Sequence, residues 1–220
     1  MLTFAIGDIH GCFDKLERLI ARCQQYAHGE QSRFVFLGDY IDRGPDSQQV
    51  VEFVMNFQQT TPETICLKGN HENVLERAQS SPPIMEWWLQ NGGDVTLQSY
   101  GITSLSDFPQ AHLRWMRSLR LQLYDDLRFF VHAGVDPTLD EPLLASPMDA
   151  LLWIREPFLS SDRDYGRLVV HGHTKVAEPD LRANRLNIDT VQPVIGRHLT
   201  AAVFDDTRRD PLTFLTSDNE

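Results

Sequence analysis

Aspartate, asparagine and histidine recur in this chain at the ends of short apolar runs, and these side chains hold divalent ions through oxygen and imidazole nitrogen. The runs read FAIGDIHG (Phe4 to Gly11), FVFLGDYIDRG (Phe34 to Gly44), ICLKGNHE (Ile65 to Glu72), FFVHAG (Phe129 to Gly134) and LVVHGHT (Leu168 to Thr174). Taken in order they offer Asp8, His10, Asp39, Asn70, His132 and His173, with Asp42, Arg43 and His71 close by. A single Asp or Asn after a strand is ordinarily a turn or helix cap, and a single His beside a strand is ordinarily a packed core residue. Six such residues at five strand ends indicate a metal centre instead. The chemistry that suits the set is phosphate-ester hydrolysis, which needs an activated water, positive charge against the phosphoryl oxygens and help for the departing group. Two divalent ions about 3.5–4 Å apart clamp the phosphate and lower the pKa of a shared water. Asp39 is the best-placed carboxylate to bridge them. Asp8 and His10 reach one ion only if the chain turns between them, which Gly7 and Gly11 allow.

The elements that must position these residues follow from periodicity. Strands that release polar side chains at their carboxyl ends are the plan of an α/β active site. Apolar residues at 13, 16, 19, 20 and 23 predict a helix after the first run. Residues 34–38 predict a second strand, followed by a Gly44-Pro45 turn and a helix that buries Val50, Val51, Phe53, Val54 and Phe57. A third strand is expected over 64–68, with helix resuming over 73–78, so two βαβ passes build a sheet with helical cover. Residues 80–121 break this rhythm. Ser81-Pro82-Pro83 is a stop, a helix over 84–90 carries Trp87 and Trp88, Asn91-Gly92-Gly93 closes it, and Pro109 opens another. This reads as a helical insertion within a single catalytic domain spanning 1–220. Segments after 121 are mostly strands, which predicts two sheets, one led by the N-terminal βαβ units and one by the C-terminal half. The last four residues, 217–220, read as frayed.

Lys+Arg of 20 against Asp+Glu of 31 gives a net charge of -11. Two divalent ions would bring that only to about -7, still acidic, which disfavours a general nucleic-acid binder. Cys12, Cys23 and Cys66 have neither CxxC spacing nor an even count, so no disulfide framework or cysteine-rich zinc site is indicated. No segment approaches the roughly 18 apolar residues of a membrane span. A soluble, cytoplasmic protein without membrane or nucleic-acid partners is expected, its oligomeric state undetermined.

GDIHG at 7–11, GDYIDRG at 38–44, GNHE at 69–72, HAG at 132–134 and HGHT at 171–174 resemble the PPP-type metallophosphoesterases, and within them the small bacterial serine/threonine protein phosphatases. The match runs from about residue 3 to 205. It implies an α/β fold of two packed mixed β-sheets flanked by helices, with a dinuclear site at the strand ends. It also implies that one ion takes Asp8, His10 and Asp39, the other Asp39, Asn70, His132 and His173, and that a bridging water attacks the phosphorus directly. Manganese is the ion implied for activity in vitro, while mixed nitrogen and oxygen ligands also accept iron, zinc or nickel. By the same resemblance His71 is the general acid, its proton supported by Asp42, and Arg43 and Arg155 clamp the phosphate. Arg155 comes two residues after Trp153, and the lesser alternative for it is a solvent-facing arginine after a buried Trp153. His171 is expected to hydrogen-bond across the site or cap its strand, with His173 as the ligand. Asp189 is expected behind the site, where Val191-Gln192-Pro193 replaces the Gly-Ala of similar sequences and predicts a hairpin of different shape.

Adjacent residues on a helix point about 100° apart, so at most one of Trp87 and Trp88 faces a substrate groove. The expected substrate is a phosphoserine or phosphothreonine protein or peptide, with phosphotyrosine left open. The rival is a symmetrical dinucleoside tetraphosphate hydrolase. Such enzymes resemble this chain but typically lack the aspartate of the Asp-Arg pair, and a pyrophosphate leaving group needs little protonation, so Asp42 weighs towards the phosphatase. A catalytically silent binding protein would be marked by a lost ligand, and none of the six is missing.

Overall fold

The computed structural model describes residues 1–191 and 198–218. Its first three strands, β1 (Leu2–Ile6), β2 (Ser32–Phe36) and β3 (Thr64–Cys66), are parallel neighbours. Helices α1 (Phe13–Ala27) and α2 (Ser47–Thr60) make the crossovers that parallel pairing requires. α1 buries Leu16, Leu19, Ile20 and Cys23, and α2 buries Val50, Val51, Val54 and Phe57, with Phe53 half-buried. The sheet is completed by the far end of the chain. β9 (Thr200–Asp205) runs antiparallel to β1, and β10 (Thr213–Thr216) antiparallel to β9, giving the order β10-β9-β1-β2-β3. The C-terminal half does lead a second sheet, as expected, but its last two strands, β9 and β10, join the first sheet instead. In that place β9 is paired along both edges, and its side chains are buried on both faces: Ala202 and Phe204 between the sheets, Ala201 and Val203 under the helices.

The second sheet has the order β4-β5-β6-β8-β7, built from β4 (Gln122–Tyr124), β5 (Arg128–Val131), β6 (Leu168–His171), β7 (Asp180–Leu181) and β8 (Arg185–Asn187). Strand alternation sorts the core into layers. Ala5, Val35, Phe130, Leu168, Val170, Leu186 and Ala202 fill the space between the sheets. Phe4, Ile6, Phe34 and Phe36 point the other way, under α1 and α2. Phe129, Val131 and Val169 face outward on the second sheet, beneath Leu151 and Phe158, where α7 (Pro142–Ala145) and α8 (Met148–Trp153) lie in the β5–β6 connection. The fold is the expected pair of mixed sheets flanked by helices.

Several boundaries move, each for a local reason. β2 stops at Phe36, because Gly38 turns the chain at φ +107 against the backbone of Gly69. Helix α3 (Asn70–Ala78) starts three residues before the expected 73. The Glu72 carboxylate accepts the Gly69 N–H at 2.9 Å and caps the helix from its first turn, so Asn70 and His71 are helical rather than loop residues. In the insertion, the helix that opens as α4 (Pro82–Trp88) is interrupted at Asn91 and Gly92, both outside helical angles, as expected. Gly92 bends the chain at φ +106 and it continues into an unforeseen helix α5 (Asp94–Ser99), then α6 (Gln110–Ser118). Ser217 is not frayed: its N–H donates to Leu199 O and its hydroxyl accepts the Leu199 N–H, both at 2.9 Å. The altered hairpin expected at Gln192-Pro193 and the fraying of 219–220 lie outside the described residues. Among the described residues no helix is long and apolar enough to cross a membrane.

Gly93 has ordinary helical angles, yet a Cβ there would stand 2.3 Å from the Trp88 ring. Gly93→Ala is therefore expected to destabilise the protein by about 1–3 kcal/mol through overpacking, read as a lower urea midpoint with an unchanged m-value.

Candidate metal centre

Asp8 and His10 leave β1, Asp39 follows β2, Asn70 opens α3 after β3, His132 follows β5 and His173 follows β6; all six are buried. The loops that carry them are held in conformations that side chains ordinarily avoid. His10, Asp39, Asp42, Arg43 and His173 are five of the seven non-glycine residues with positive φ among those described. Such backbone persists only where its surroundings over-determine it. Here the main anchor is Glu72, fully buried, whose carboxylate accepts the N–H groups of Asp39 (3.0 Å), Tyr40 (2.9 Å), Ile41 (3.4 Å) and Gly69 (2.9 Å). Asp39 O in turn accepts the His10 N–H at 2.8 Å.

The donor set fits a pair of divalent ions. His10 and His132 each direct Nδ1 at a main-chain carbonyl, Ile41 O and Leu37 O, both at 3.0 Å. Each therefore carries its hydrogen on Nδ1 and turns the Nε2 lone pair inward. His132 Nε2 then stands 2.8 Å from Asn70 Oδ1 and 3.5 Å from Asp39 Oδ1, and His10 Nε2 stands 3.5 Å from Asp39 Oδ2. His173 Nδ1 lies 2.8 Å from the same Asn70 oxygen. Acceptors facing acceptors repel unless a cation sits among them, and Arg43 brings one to His10, with Nη1 2.5 Å from Nε2. Asp8 Oδ1 is buried without a hydrogen-bond partner. Burial holds His10 and His132 below the usual imidazole range and takes His173 to about 2, so all three are neutral, as ligation requires. Burial pushes Asp8 upward, reinforced by the charges of Asp189 and Asp39, whereas in Asp39 three nearby imidazoles outweigh burial and hold the carboxyl low.

Two groups of side chains bring their ligand atoms within 4.8 Å of one another: His10, Asp39 and His71, and Asp8, Asp39 and His132. Asp39 belongs to both, as a bridging carboxylate must. His71 is set apart by its protonation. Its Nδ1 lies 2.6 Å from Asp42 Oδ2, and although burial opposes the charged form, Asp39 and the Asp42 hydrogen bond outweigh it and raise the imidazolium above its usual range. A cationic imidazole has no lone pair to give.

Residues 1–191 match the calcineurin-like phosphoesterases. The chain belongs to that family. As a calcineurin-like phosphoesterase it is 31% identical to the asymmetrical bis(5'-nucleosyl)-tetraphosphatase PrpE of Oceanobacillus iheyensis, over 91% of this chain and 88% of that protein. It is 36% identical to serine/threonine-protein phosphatase 1 of Salmonella typhimurium, over 91% and 90%. The crystal structure of a cold-active protein-tyrosine phosphatase from Shewanella sp. shares the fold, with a TM-score of 0.67 at 18% identity, over 99% and 80% of the two chains.

Sequence reasoning missed several groups that this phosphoesterase places at the site. Trp88 is fully buried and donates Nε1 to both Asp42 oxygens, at 2.9 and 3.1 Å. Thr96 donates its hydroxyl to Asp42 Oδ1 at 2.6 Å and accepts the Asp42 N–H at 2.9 Å. The signal for Trp88 was available in principle, since a buried indole N–H needs an acceptor. Lys175 is exposed on the loop after His173, within electrostatic range of Asp8, Asp39, Asp189 and Arg43. Asp189 is buried with neither oxygen hydrogen-bonded, and burial together with the Asp39 charge pushes it to about 7. Arg155 is exposed, and its charge is felt at His173 and Asp189. His171 is not brought to the ligands. It stacks edge-on against Phe158 at 5.1 Å on the outer face of the second sheet, and burial lowers it to about 3.

Protein purified without chelator is expected to carry two divalent ions per chain, as the two groups joined at Asp39 imply. Asp39→Asn is expected to lower that content and abolish hydrolysis together, checked by elemental analysis alongside turnover.

Proposed function

We propose that this phosphoesterase hydrolyses a phosphoanhydride bond of dinucleoside polyphosphates, with dinucleoside tetraphosphates as the substrate class. The observation that carries this reading is the set of cations around one acidic pocket. Arg43, Arg155 and Lys175 lie within electrostatic range of Asp189 in a chain of net charge -11. Among the described residues Arg155 and Lys175 have neither an ion pair nor a side-chain hydrogen bond. One phosphoryl group is served by the metal ligands and the fork of Arg43; two further unpaired cations suit a longer polyanion. The relative from Oceanobacillus iheyensis, similar along nearly its whole length, supports the same substrate class.

When bound, a divalent pair supplies Lewis acidity towards the phosphoryl oxygens and a nucleophilic water at neutral pH. The chain's own residues do the remainder. Arg43 orients the phosphate under attack, and Arg155 and Lys175 neutralise the phosphates beyond it. His71 holds a proton on Nε2, and Asp42, braced by Trp88 and Thr96, fixes the opposite nitrogen. In an anhydride that imidazolium gives a charged hydrogen bond to the leaving phosphate oxygen.

A second reading, hydrolysis of phosphoprotein monoesters, is favoured by the His71–Asp42 pair itself, because a poor alkoxide leaving group gains most from a poised acid. The Salmonella typhimurium relative is a protein phosphatase. The two readings separate in a panel of diadenosine tetraphosphate beside phosphoserine, phosphothreonine and phosphotyrosine peptides under identical manganese. The tetraphosphate is expected to lead by more than tenfold in kcat/KM, equivalent to about 1.4 kcal/mol. A tenfold lead for any phosphopeptide would install the second reading. Products of AMP and ATP would mark asymmetrical cleavage, and two ADP the symmetrical cleavage expected from the sequence rival.

The acid has its own signature. The His71 imidazolium is held above its usual range, so rate is expected to be lost as pH rises through that raised value. Asp42→Asn removes a stabilising charge and is expected to move the alkaline limb to lower pH. His71→Asn is expected to slow alkyl phosphates by roughly 10²–10⁴-fold and anhydrides less. Equal losses on both substrates would show that His71 is not the acid.

A further inference from the structure

Beside the metal centre, Val74, Arg77, Pro83, Ile84, Trp87 and Trp153 line an open cleft of about 270 Å³. Its two indoles come from different elements, Trp87 from α4 and Trp153 from the end of α8. They meet edge to face, with centroids 6.1 Å apart and planes at 65°. Trp87 is 43% exposed, while its neighbour Trp88 is fully buried against Asp42. The helix thus sends one indole to the acid and presents the other to solvent. Trp153 also meets His173, at 5.9 Å and 83°, so one wall of the cleft packs directly against the ligand cluster. Arg155, two residues beyond Trp153, places its charge near His173 and Asp189.

A ligand that used all of this would be anionic at the ligand cluster, anionic again at Arg155, and flat and aromatic at its far end. We propose that the Trp87–Trp153 cleft is the subsite for one nucleobase of the polyphosphate substrate, an inference that rests on the anhydride reading above. An aliphatic side chain would be better served by an enclosed pocket of branched residues. Here the cleft is open, and two indoles and Arg77 stand over the aliphatic floor of Val74, Pro83 and Ile84; indole and guanidinium planes are surfaces on which bases stack. Stacking is tolerant of base identity, so the subsite is expected to accept adenine and guanine alike.

The test compares Trp87→Ala and Trp87→Phe with wild type on diadenosine tetraphosphate and on inorganic tripolyphosphate, which has the anhydride but no base. Stacking contributes about 1–3 kcal/mol per base, so Trp87→Ala is expected to lower the ratio of kcat/KM for the two substrates roughly 5- to 150-fold, chiefly through KM. Trp87→Phe is expected to restore most of it. AMP should quench tryptophan emission in wild type and less in Trp87→Ala, with circular dichroism confirming that both are folded. An unchanged ratio in Trp87→Ala overturns the subsite and leaves the anhydride reading standing. If wild type does not hydrolyse the tetraphosphate, the anhydride reading falls. The AMP titration then decides the cleft alone, and quenching that does not depend on Trp87 overturns it.

Discussion

The buried carboxylate of Glu72 is the contact on which the site depends. It joins the end of β3 to the loop after β2 by accepting main-chain hydrogen bonds from Gly69, Asp39, Tyr40 and Ile41. One side chain therefore sets where the shared carboxylate Asp39 leaves its strand and where the helix bearing Asn70 and His71 begins. The left-handed backbone at Asp39 is affordable only under that restraint. From Asp39 the order spreads outward, because its carbonyl takes the His10 N–H and its Oδ1 takes the His71 N–H at 3.0 Å.

Around that frame the protein separates two kinds of histidine with the same tool. Where the outer ring nitrogen meets a main-chain carbonyl, as in His10 and His132, burial wins and the imidazole stays neutral with its lone pair turned inward. Where that nitrogen meets a carboxylate, as in His71, the charged form wins. The candidate ligands and His71 thus stand a few ångströms apart and differ in what lies behind each ring. The helical insertion has its place in this scheme. Trp88 and Thr96 give Asp42 its hydrogen bonds, so residues remote from the metal ligands fix the partner of the acid.

Charge distribution is what the anhydride reading rests on. An acidic protein ordinarily repels polyanions, and this one carries its compensation locally, in the metal ligands and in Arg43, Arg155 and Lys175. A single phosphoryl group does not require that many cations, whereas a phosphate chain does.

The sequence by itself determined where the candidate ligands leave their strands, and the general architecture. A strand of four or five apolar residues followed by glycine and a polar side chain delivers that side chain at its carboxyl end, and this local rule set Asp8, His10, Asp39, Asn70, His132 and His173 just beyond their strands. Helical periodicity likewise marked the buried faces of α1 and α2, and showed that Trp87 and Trp88 could not both face one groove. Tertiary structure alone decided which of the two turned outward and what the other held. It also sent β9 and β10 to the first sheet, made Glu72 the anchor, put His171 in the core and set Lys175 beside the acidic cluster. These features share a cause. Each depends on a partner distant in sequence, 32 residues for Glu72 and Tyr40 and 54 for Thr96 and Asp42. Local spacing constrains which way a side chain leaves its own strand or helix, and carries no record of what the rest of the chain packs against it.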